Sequence, residues 1–158
     1  QSGPFEIPFR HMVTAVQIAR GDQEGLFQAL KRSGYDVTSR QEEIIGRARN
    51  VQTWLDKYAP NYVKFQVQES LPAAVKNLTM QEKQGLGLLA EQMDDKSAAE
   101  IHELVYAVAA EQKLDSKKFF QAIYLAFLGD RQGPKVGWFL SSLERDFVRE
   151  RLIEASRA

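Results

Sequence analysis

A short polar stretch near the carboxyl end of the chain carries the side chains best suited to chemistry. Arg131, Gln132 and Lys135 stand there between two apolar segments, and Trp138 follows three residues later. Cationic groups attract phosphate, an amide pairs with the edge of a base, and an indole ring stacks on a base. This combination fits the recognition of unstacked RNA bases. The alternative interpretation is a plain connection between two helices, with its aromatic residues in the core.

Glycine and proline set the backbone of this stretch. Gly129 follows an apolar helix and stands where a left-handed residue commonly ends one. Pro134, together with Gly133 and Gly137, limits the shapes of the loop. A restricted loop loses less entropy when it binds RNA. Phe139 lies at the start of the next apolar helix, so we predict that it belongs to the core.

A second candidate for RNA contact lies in the first third of the chain. Arg47, Asn50 and Trp54 are spaced so that they share roughly one face of a helix. Arg40 and Arg49 add positive charge nearby. Such a face could grip phosphates and stack a base. The alternative is a Trp54 buried against the N-terminal helices with solvated arginines; we favour it for Trp54 and leave Arg47 open.

Metal and general-base chemistry find little support. His11 and His102 lie far apart in sequence, and neither has a second His at ligand spacing. We expect both to be surface or partly buried polar residues. Glycine-rich loops that cradle phosphate are absent from the sequence. We therefore expect no metal and no cofactor on this chain.

Composition narrows the class of protein. The chain has 158 residues, equal numbers of acidic and basic side chains, and no cysteine. Zero net charge argues against a protein that coats nucleic acid without regard to sequence. No apolar run has the length of a membrane span, and no secretory signal is present. The chain begins at Gln1 rather than Met, so we expect a piece of a longer protein, with Gln1-Ser2-Gly3-Pro4 a cloning scar or an internal cut.

The first sixty residues contain sequence patterns typical of three helices. Helices are predicted over 8–19 and, capped by Asp22, over 23–33. Thr38 with Gln41 has the pattern of a capping box ahead of a third, longer helix. One face of this third helix carries a recurring apolar set: Ile44, Ala48, Val51, Leu55 and Tyr58.

The second half shows clearer caps. Thr79 and Ser97 each begin a capping box, and Asp115 is predicted to cap a helix over 116–128. Two more helices are predicted over 136–143 and 146–156. Gly85 and Gly87 weaken the helix that ends near residue 93. Close packing of another backbone against this helix would explain why glycine occupies both positions.

These patterns predict an all-α fold. We divide it into an N-terminal helical sub-bundle over 1–60, a connector over 61–78, and a C-terminal sub-bundle over 79–158. Pro72 blocks a continuous helix in the connector. The loop at 129–139 belongs to a hairpin in the C-terminal sub-bundle.

Several motifs of this sequence resemble class I lysyl-tRNA synthetases. The segment 128–139, LGDRQGPKVGWF, is similar to a signature near the end of that family, in which Leu-Leu-Gly is followed by a basic residue, Gly-Pro, Gly and an aromatic residue. The resemblance departs from a common family form at Trp138, where many members carry a smaller residue or proline. Further similarity covers most of the chain, in the same order and spacing: PFRHMV at 8–13, WLDKYAP at 54–60, ELVYAVA at 103–109, KKFFQAIY at 117–124 and DFVRERL at 146–152.

The resemblance implies a function. In the family, a catalytic domain uses ATP and Mg²⁺ to activate lysine and charge its tRNA in the cytoplasm, and a C-terminal helical cage holds the anticodon stem–loop. This chain lacks the His-x-Gly-His motif and the Lys-rich loop of that catalytic domain. The resemblance therefore makes it the anticodon-binding part alone, with lysine tRNA and the catalytic domain of the same polypeptide as its partners. The alternative is a helical protein-interaction or scaffold domain with no RNA role.

The resemblance also directs attention to one loop. Lysine codons require an anticodon ending in two uridines, so the domain must favour uracil edges. Related glutamyl-type synthetases reach the anticodon with a helix–Gly–loop–helix hairpin, which by analogy places the contact at 131–139. We therefore expect Arg131 and Lys135 to supply charge and Gln132 to pair with a base edge.

Overall fold

The computed structural model describes residues 7–158 and shows only helices and loops in that range. The all-α prediction is thereby confirmed. Gln1 to Pro4, the expected scar or cut, lie outside the described residues. None of the helices within 7–158 is both long and apolar enough to cross a membrane. The helices are α1 (Phe9–Ala19), α2 (Gln23–Arg32), α3 (Gln41–Lys57), α4 (Met80–Gln92), α5 (Ala98–Glu111), α6 (Ser116–Leu128), α7 (Val136–Ser142) and α8 (Arg145–Ser156).

Three of the predicted helix starts are confirmed by their hydrogen bonds. The Asp22 carboxylate accepts from the backbone of α2. At α4 the Thr79 hydroxyl accepts from Glu82 N at 3.1 Å, and the Glu82 carboxylate accepts from Thr79 N at 2.8 Å. Ser97 forms the same reciprocal box at the start of α5. Each box satisfies two backbone donors that the helix itself cannot.

Two predicted caps are wrong. Thr38 does not cap α3, because its hydroxyl donates instead to the Asp36 carboxylate, 2.9 Å away. This local turn competes with the helix for the Thr side chain, and α3 starts after Arg40 without a side-chain cap. Asp115 stands at the cap position of α6 but makes no hydrogen bond to its backbone.

Two predicted packing details are also wrong. Tyr58 is 74% exposed, because α3 ends at Lys57 and the next residue leaves the helical face. Gly85 and Gly87 do not face another backbone. A Cβ at Gly85 would lie 2.7 Å from the Phe119 ring, and one at Gly87 would meet the Ser156 side chain. Gly85 thus makes room for an aromatic ring between α4 and α6.

The buried apolar side chains form two clusters. One draws on α1 to α3 and includes Met12, Leu30 and Ile44. The other draws on α4 to α8 and includes Phe119 and Phe139. The core position predicted for Phe139 is confirmed, since its side chain is fully buried. Whether residues 60 and 78 are the true boundaries of sub-bundles stays a prediction.

A polar seam joins α2 to α7. The Arg32 guanidinium donates twice to the Ser142 carbonyl, at 2.8 and 3.1 Å, and the hydroxyls of Ser33 and Ser142 lie 2.8 Å apart. In return, the Ser141 hydroxyl donates to the Arg32 carbonyl at 2.9 Å. Because α7 also packs on α5 and α1, its position between the two clusters is fixed from several sides.

The segment between α3 and α4 is anchored to both clusters. Its short 3-10 turns are Asn61–Val63 and Ala73–Asn77. The Gln17 side chain donates to the Val63 carbonyl at 3.1 Å and accepts from Phe65 N at 3.0 Å. Further along, Gln68 N donates to the Phe127 carbonyl at 2.8 Å. The segment is therefore held as an extended strip between α1 and α6.

Candidate nucleic-acid interface

The loop between α6 and α7 has a defined shape. It begins with Gly129 in the left-handed region, at φ 72°, as the sequence predicts. A Cβ at Gly133 would lie 2.6 Å from the Tyr124 ring, so the backbone rests directly on that ring. The Tyr124 hydroxyl donates to the Pro134 carbonyl. Burial raises the pKa of Tyr124 to about 12, which keeps this hydroxyl protonated as a donor.

Close helix packing positions the end of the loop. A Cβ at Gly137 would lie 2.4 Å from the Ala98 carbonyl oxygen, so only glycine lets α7 approach α5 this closely. The Gly137 N–H donates to Nδ1 of His102 at 3.3 Å. These contacts fix Lys135 and Trp138 on either side of Gly137.

Lys135 and Trp138 contribute to an open groove of about 560 Å³, here called the α1–α7 groove. One wall is the face of α1 between residues 9 and 17, and the other is formed by residues 133–135 and Trp138. Trp54 and residues 62, 63 and 65 complete it. The groove therefore unites parts of the chain that are distant in sequence.

Aromatic rings dominate the groove. Tyr62 is 75% exposed and Phe9 is 52% exposed, while Trp54 and Trp138 are half-buried. The Lys135 ammonium lies 4.6 Å from the centre of the Trp138 ring, a cation–π contact. Exposed rings beside a cation are what a protein needs to stack bases and attract their phosphates.

Charge in the groove is one-sided. Arg10 and Lys135 line it, and none of the described residues that line it is acidic. This local bias exists although the whole chain has zero net charge. The separation of charge is the arrangement that the RNA-binding interpretation requires.

Gln132 and Arg131 lie beside the groove rather than in it. Gln132 lines a smaller polar recess of about 210 Å³, which shares Tyr62 and Phe65 with the groove. Arg131 is exposed, and its backbone N–H donates to the Asp130 carboxylate at 2.7 Å. Asp130 also lines the recess, so this part of the surface is not purely basic.

The second candidate surface is only partly joined to this site. Trp54 is half-buried and meets the Phe9 ring edge-on, with centroids 5.2 Å apart. Asn50 is exposed. The Arg47 guanidinium donates to the Ile7 carbonyl at 2.7 Å, and Arg47 does not line the groove. Of the three residues on this face, Trp54 alone contributes to the α1–α7 groove.

Several groove residues escaped the sequence analysis. Tyr62 and Phe65 carry no motif of their own, and Phe9 and Arg10 were not singled out within theirs. All four meet the loop only through tertiary packing. His11 was considered only for metal binding and general-base chemistry. Its ring stacks on Trp138 with centroids 5.3 Å apart and planes inclined by 23°. The PFRHMV segment at 8–13 was the available signal, since four of its residues line the groove.

Electrostatics keep the His11 ring neutral. Burial lowers its pKa to about 4, helped by the charges of Arg10 and Lys135. The pKa of His102, which also contacts Trp138, is lowered by burial as well. Among residues 7–158, no three His, Cys, Asp or Glu side chains come together as a metal site would require.

Similarity to known proteins also indicates an RNA-binding role. The sequence profile described as "Anticodon binding domain" matches residues 43–156. Lysine–tRNA ligase 1 of Methanosarcina acetivorans is 40% identical over 96% of this chain and 32% of its own length. The lysine–tRNA ligase of Archaeoglobus fulgidus is 42% identical over 93% of this chain and 30% of its own length.

The chain spans about a third of the length of these curated relatives. The resemblance to lysyl-tRNA synthetases that the sequence motifs indicated is confirmed by these matches. A scaffold domain without an RNA role is not favoured, because the profile covers most of the chain and describes an RNA-recognition unit. The chain belongs to the anticodon binding domain family.

Proposed function

We propose that this chain is the tRNA-recognition module of a class I lysine–tRNA ligase. The α1–α7 groove receives bases of the lysine tRNA anticodon loop. The observation that carries the proposal is the groove itself, in which exposed aromatic rings and two cations, without acids, line up beside the α6–α7 loop. The identity of the relatives supports lysine tRNA as the partner.

The proposal assigns the chemistry to another part of the polypeptide. A catalytic domain, with ATP and Mg²⁺, activates lysine and transfers it to the tRNA in the cytoplasm. This chain supplies binding energy and selects the tRNA. We expect it to form no lysyl-adenylate by itself, which ATP–pyrophosphate exchange measures directly.

Within the groove, each group has a separate role. Tyr62 and Trp138 offer rings on which unstacked bases lie. Lys135 and Arg10 attract the phosphates between them, and Arg131 adds charge at the outer edge of the loop. The Gln132 amide, in the adjoining recess, pairs with a base edge. Because the lysine anticodon ends in two uridines, that edge is a uracil.

Rigidity of the loop strengthens this interpretation. Pro134 is held through its carbonyl by Tyr124, and Gly133 rests on the Tyr124 ring. A loop that is already ordered in the free protein loses little entropy on binding. The arrangement therefore suits recognition of a fixed anticodon shape.

Arg47 and Asn50 form a secondary contact in this proposal. Asn50 is exposed one helical turn before Trp54, which lines the groove. Arg47 already binds the Ile7 carbonyl and is half-buried, so it contributes one free edge of its guanidinium at most. We expect a smaller loss of affinity from changes here than from changes in the loop.

A paired substitution tests the role of the loop. Replacing Arg131 and Lys135 with alanine should weaken binding of lysine tRNA. It should also flatten the salt dependence, by about one unit of slope per lost phosphate contact at most. The matched control replaces Lys117 and Lys118 with alanine. These exposed lysines lie in the first turn of α6, about 17 Å along the helix axis from the loop.

The two pairs remove the same charge, so long-range electrostatics affects them alike. If the loop pair binds as tightly as the control pair at every salt concentration, with helicity unchanged, the loop is not the anticodon site. Gln132→Ala should instead leave total affinity for tRNA nearly unchanged and reduce the preference for the correct anticodon. Circular dichroism of each variant establishes that the fold is retained.

A further inference from the structure

One polar atom in the wall of the groove has no hydrogen-bond partner within residues 7–158. His11 Nδ1 is hydrogen-bonded to the Tyr35 hydroxyl. Its other ring nitrogen, Nε2, is buried and unpaired among the residues that the structure describes. The large majority of buried side-chain polar atoms in proteins are paired, because an unpaired one loses its hydration without compensation. An unpaired buried nitrogen at a binding groove suggests that a bound ligand supplies its hydrogen-bond partner.

The surroundings of the atom narrow the class of partner. The His11 ring stacks on Trp138 and lies near enough to two cations, Arg10 and Lys135, to feel their charges. Burial first, and then both charges, lower the pKa of His11 and keep the ring uncharged. A neutral imidazole flanked by positive charge suits a planar, uncharged group attached to an anion. A nucleobase on its phosphate backbone has this chemistry.

We infer that His11 is a specificity-determining residue whose Nε2 forms a hydrogen bond with the pairing edge of a uracil base in the α1–α7 groove, an inference that rests on the proposed function. Sequence reasoning gave this role to Gln132 alone. Gln132 and His11 line neighbouring cavities that share Tyr62 and Phe65. They are therefore placed to read two different bases.

Either tautomer of His11 distinguishes uracil from cytosine. If Nδ1–H donates to the Tyr35 oxygen, Nε2 carries a lone pair and accepts from the uracil N3–H. Cytosine has a lone pair at N3 and cannot donate there. If Tyr35 donates to Nδ1 instead, Nε2–H donates to the uracil O4, which cytosine replaces with an amino group. In each case the direction of the Tyr35 bond sets which ring nitrogen holds the proton.

Access to Nε2 requires a small movement of the groove wall. The Trp138 indole lies against the His11 ring and is itself half-buried, and Lys135 is exposed. Side chains at interfaces commonly change rotamer on binding while the backbone stays fixed. A shift of Trp138 exposes Nε2 and leaves the indole available to stack on the entering base.

Two substitutions at position 11 separate recognition from folding. His11→Asn keeps a polar atom near the place of Nδ1, where it can still bond to Tyr35, and removes Nε2. His11→Gln does the reverse, because its longer side chain carries an amide near the place of Nε2. Both lose the imidazole ring, so its stacking with Trp138 is lost equally in the pair.

The probes are anticodon stem–loops of lysine tRNA in which one uridine at a time is changed to cytidine, with this chain as the binding protein. We expect His11→Asn to lose selectivity at one uridine by about three- to tenfold, the value of one neutral hydrogen bond. His11→Gln should retain more of that selectivity. Thermal stability should follow the opposite order, because it depends on the bond to Tyr35.

Three results overturn the inference. The first is a selectivity for uridine over cytidine that is unchanged in His11→Asn at every position. The second is a selectivity that follows the order of thermal stability in the two variants, as a purely structural role of His11 requires. In either case the Arg131 and Lys135 pair still tests the proposed function independently. If the unsubstituted chain does not distinguish uridine from cytidine at all, the inference and the proposed function both fail.

Discussion

The close approach of α7 to α5 at Gly137 gives a prediction whose size follows from the coordinates. In Gly137→Ala the new Cβ would lie 2.4 Å from the Ala98 carbonyl oxygen and 2.5 Å from the His102 Cβ. Ordinary contact begins near 3.4 Å. The helix must therefore move by about 1 Å, against backbone atoms that cannot rotate away. Overpacking of this kind costs about 1–3 kcal/mol.

A second loss adds to the first. Moving α7 away breaks the hydrogen bond from Gly137 N to His102 Nδ1, worth about 1 kcal/mol. We expect Gly137→Ala to lower the free energy of unfolding by roughly 2–4 kcal/mol, which is about 4–16 °C in Tm for a chain of this size. Because Lys135 and Trp138 flank Gly137, tRNA affinity should fall as well.

Gly46→Ala is the matched control. Gly46 lies inside α3, and a Cβ there would meet nothing within 4 Å. Alanine is the better helix former by about 0.5–1 kcal/mol, so this variant should be more stable than the original chain. Urea denaturation followed by circular dichroism measures both variants. A Gly137→Ala variant as stable as Gly46→Ala would show that α7 does not pack on α5 as described.

Three further predictions concern caps, a buried cation and pH. Ser97→Ala should lower the free energy of unfolding by about 1 kcal/mol, whereas Asp115→Ala should change it little, because only Ser97, of these two residues, makes a capping hydrogen bond. Chemical denaturation of both variants measures the difference. Arg151→Ala should lower it by about 3 kcal/mol, since the nearly buried guanidinium donates to two backbone carbonyls; an unchanged Tm would contradict this. The folded-state pKa of His11 is about 4, below its ordinary value of 6.5, so the unfolded chain binds this proton more readily. The free energy of unfolding should therefore fall as the pH drops from 6.5 towards 4. NMR titration of the His11 ring measures that pKa directly, and a value near 6.5 would refute the prediction.

Local sequence signals predicted the helices well where the capping side chain had no competitor. Thr79 and Ser97 each have a glutamate three residues later, and both boxes form. Thr38 has a nearby Asp36 that binds its hydroxyl, so the same local pattern fails. The capping-box pattern alone does not show that Asp36 will bind the Thr38 hydroxyl in preference to the helix backbone. Tyr58 shows a similar limit, because a helical stripe predicts burial only while the helix continues.

The groove was harder to predict than the helices. Lys135, Pro134 and Trp138 were found from the sequence because they lie within five consecutive residues, and they do line one site. Phe9, His11 and Tyr62 meet them only through the packing of α1 and the extended strip against α7. No local spacing encodes such a meeting. The orphan nitrogen of His11 is likewise a property of the folded chain alone.

The most direct test of the account is a titration of this chain with lysine tRNA and with the same tRNA carrying a swapped anticodon. Binding by the α1–α7 groove predicts an affinity at least about tenfold weaker for the swapped tRNA, about 1.4 kcal/mol, at equal salt concentration. The difference should persist when the rest of the tRNA is reduced to the anticodon stem–loop. Equal affinities for the two anticodons would contradict anticodon recognition by this chain.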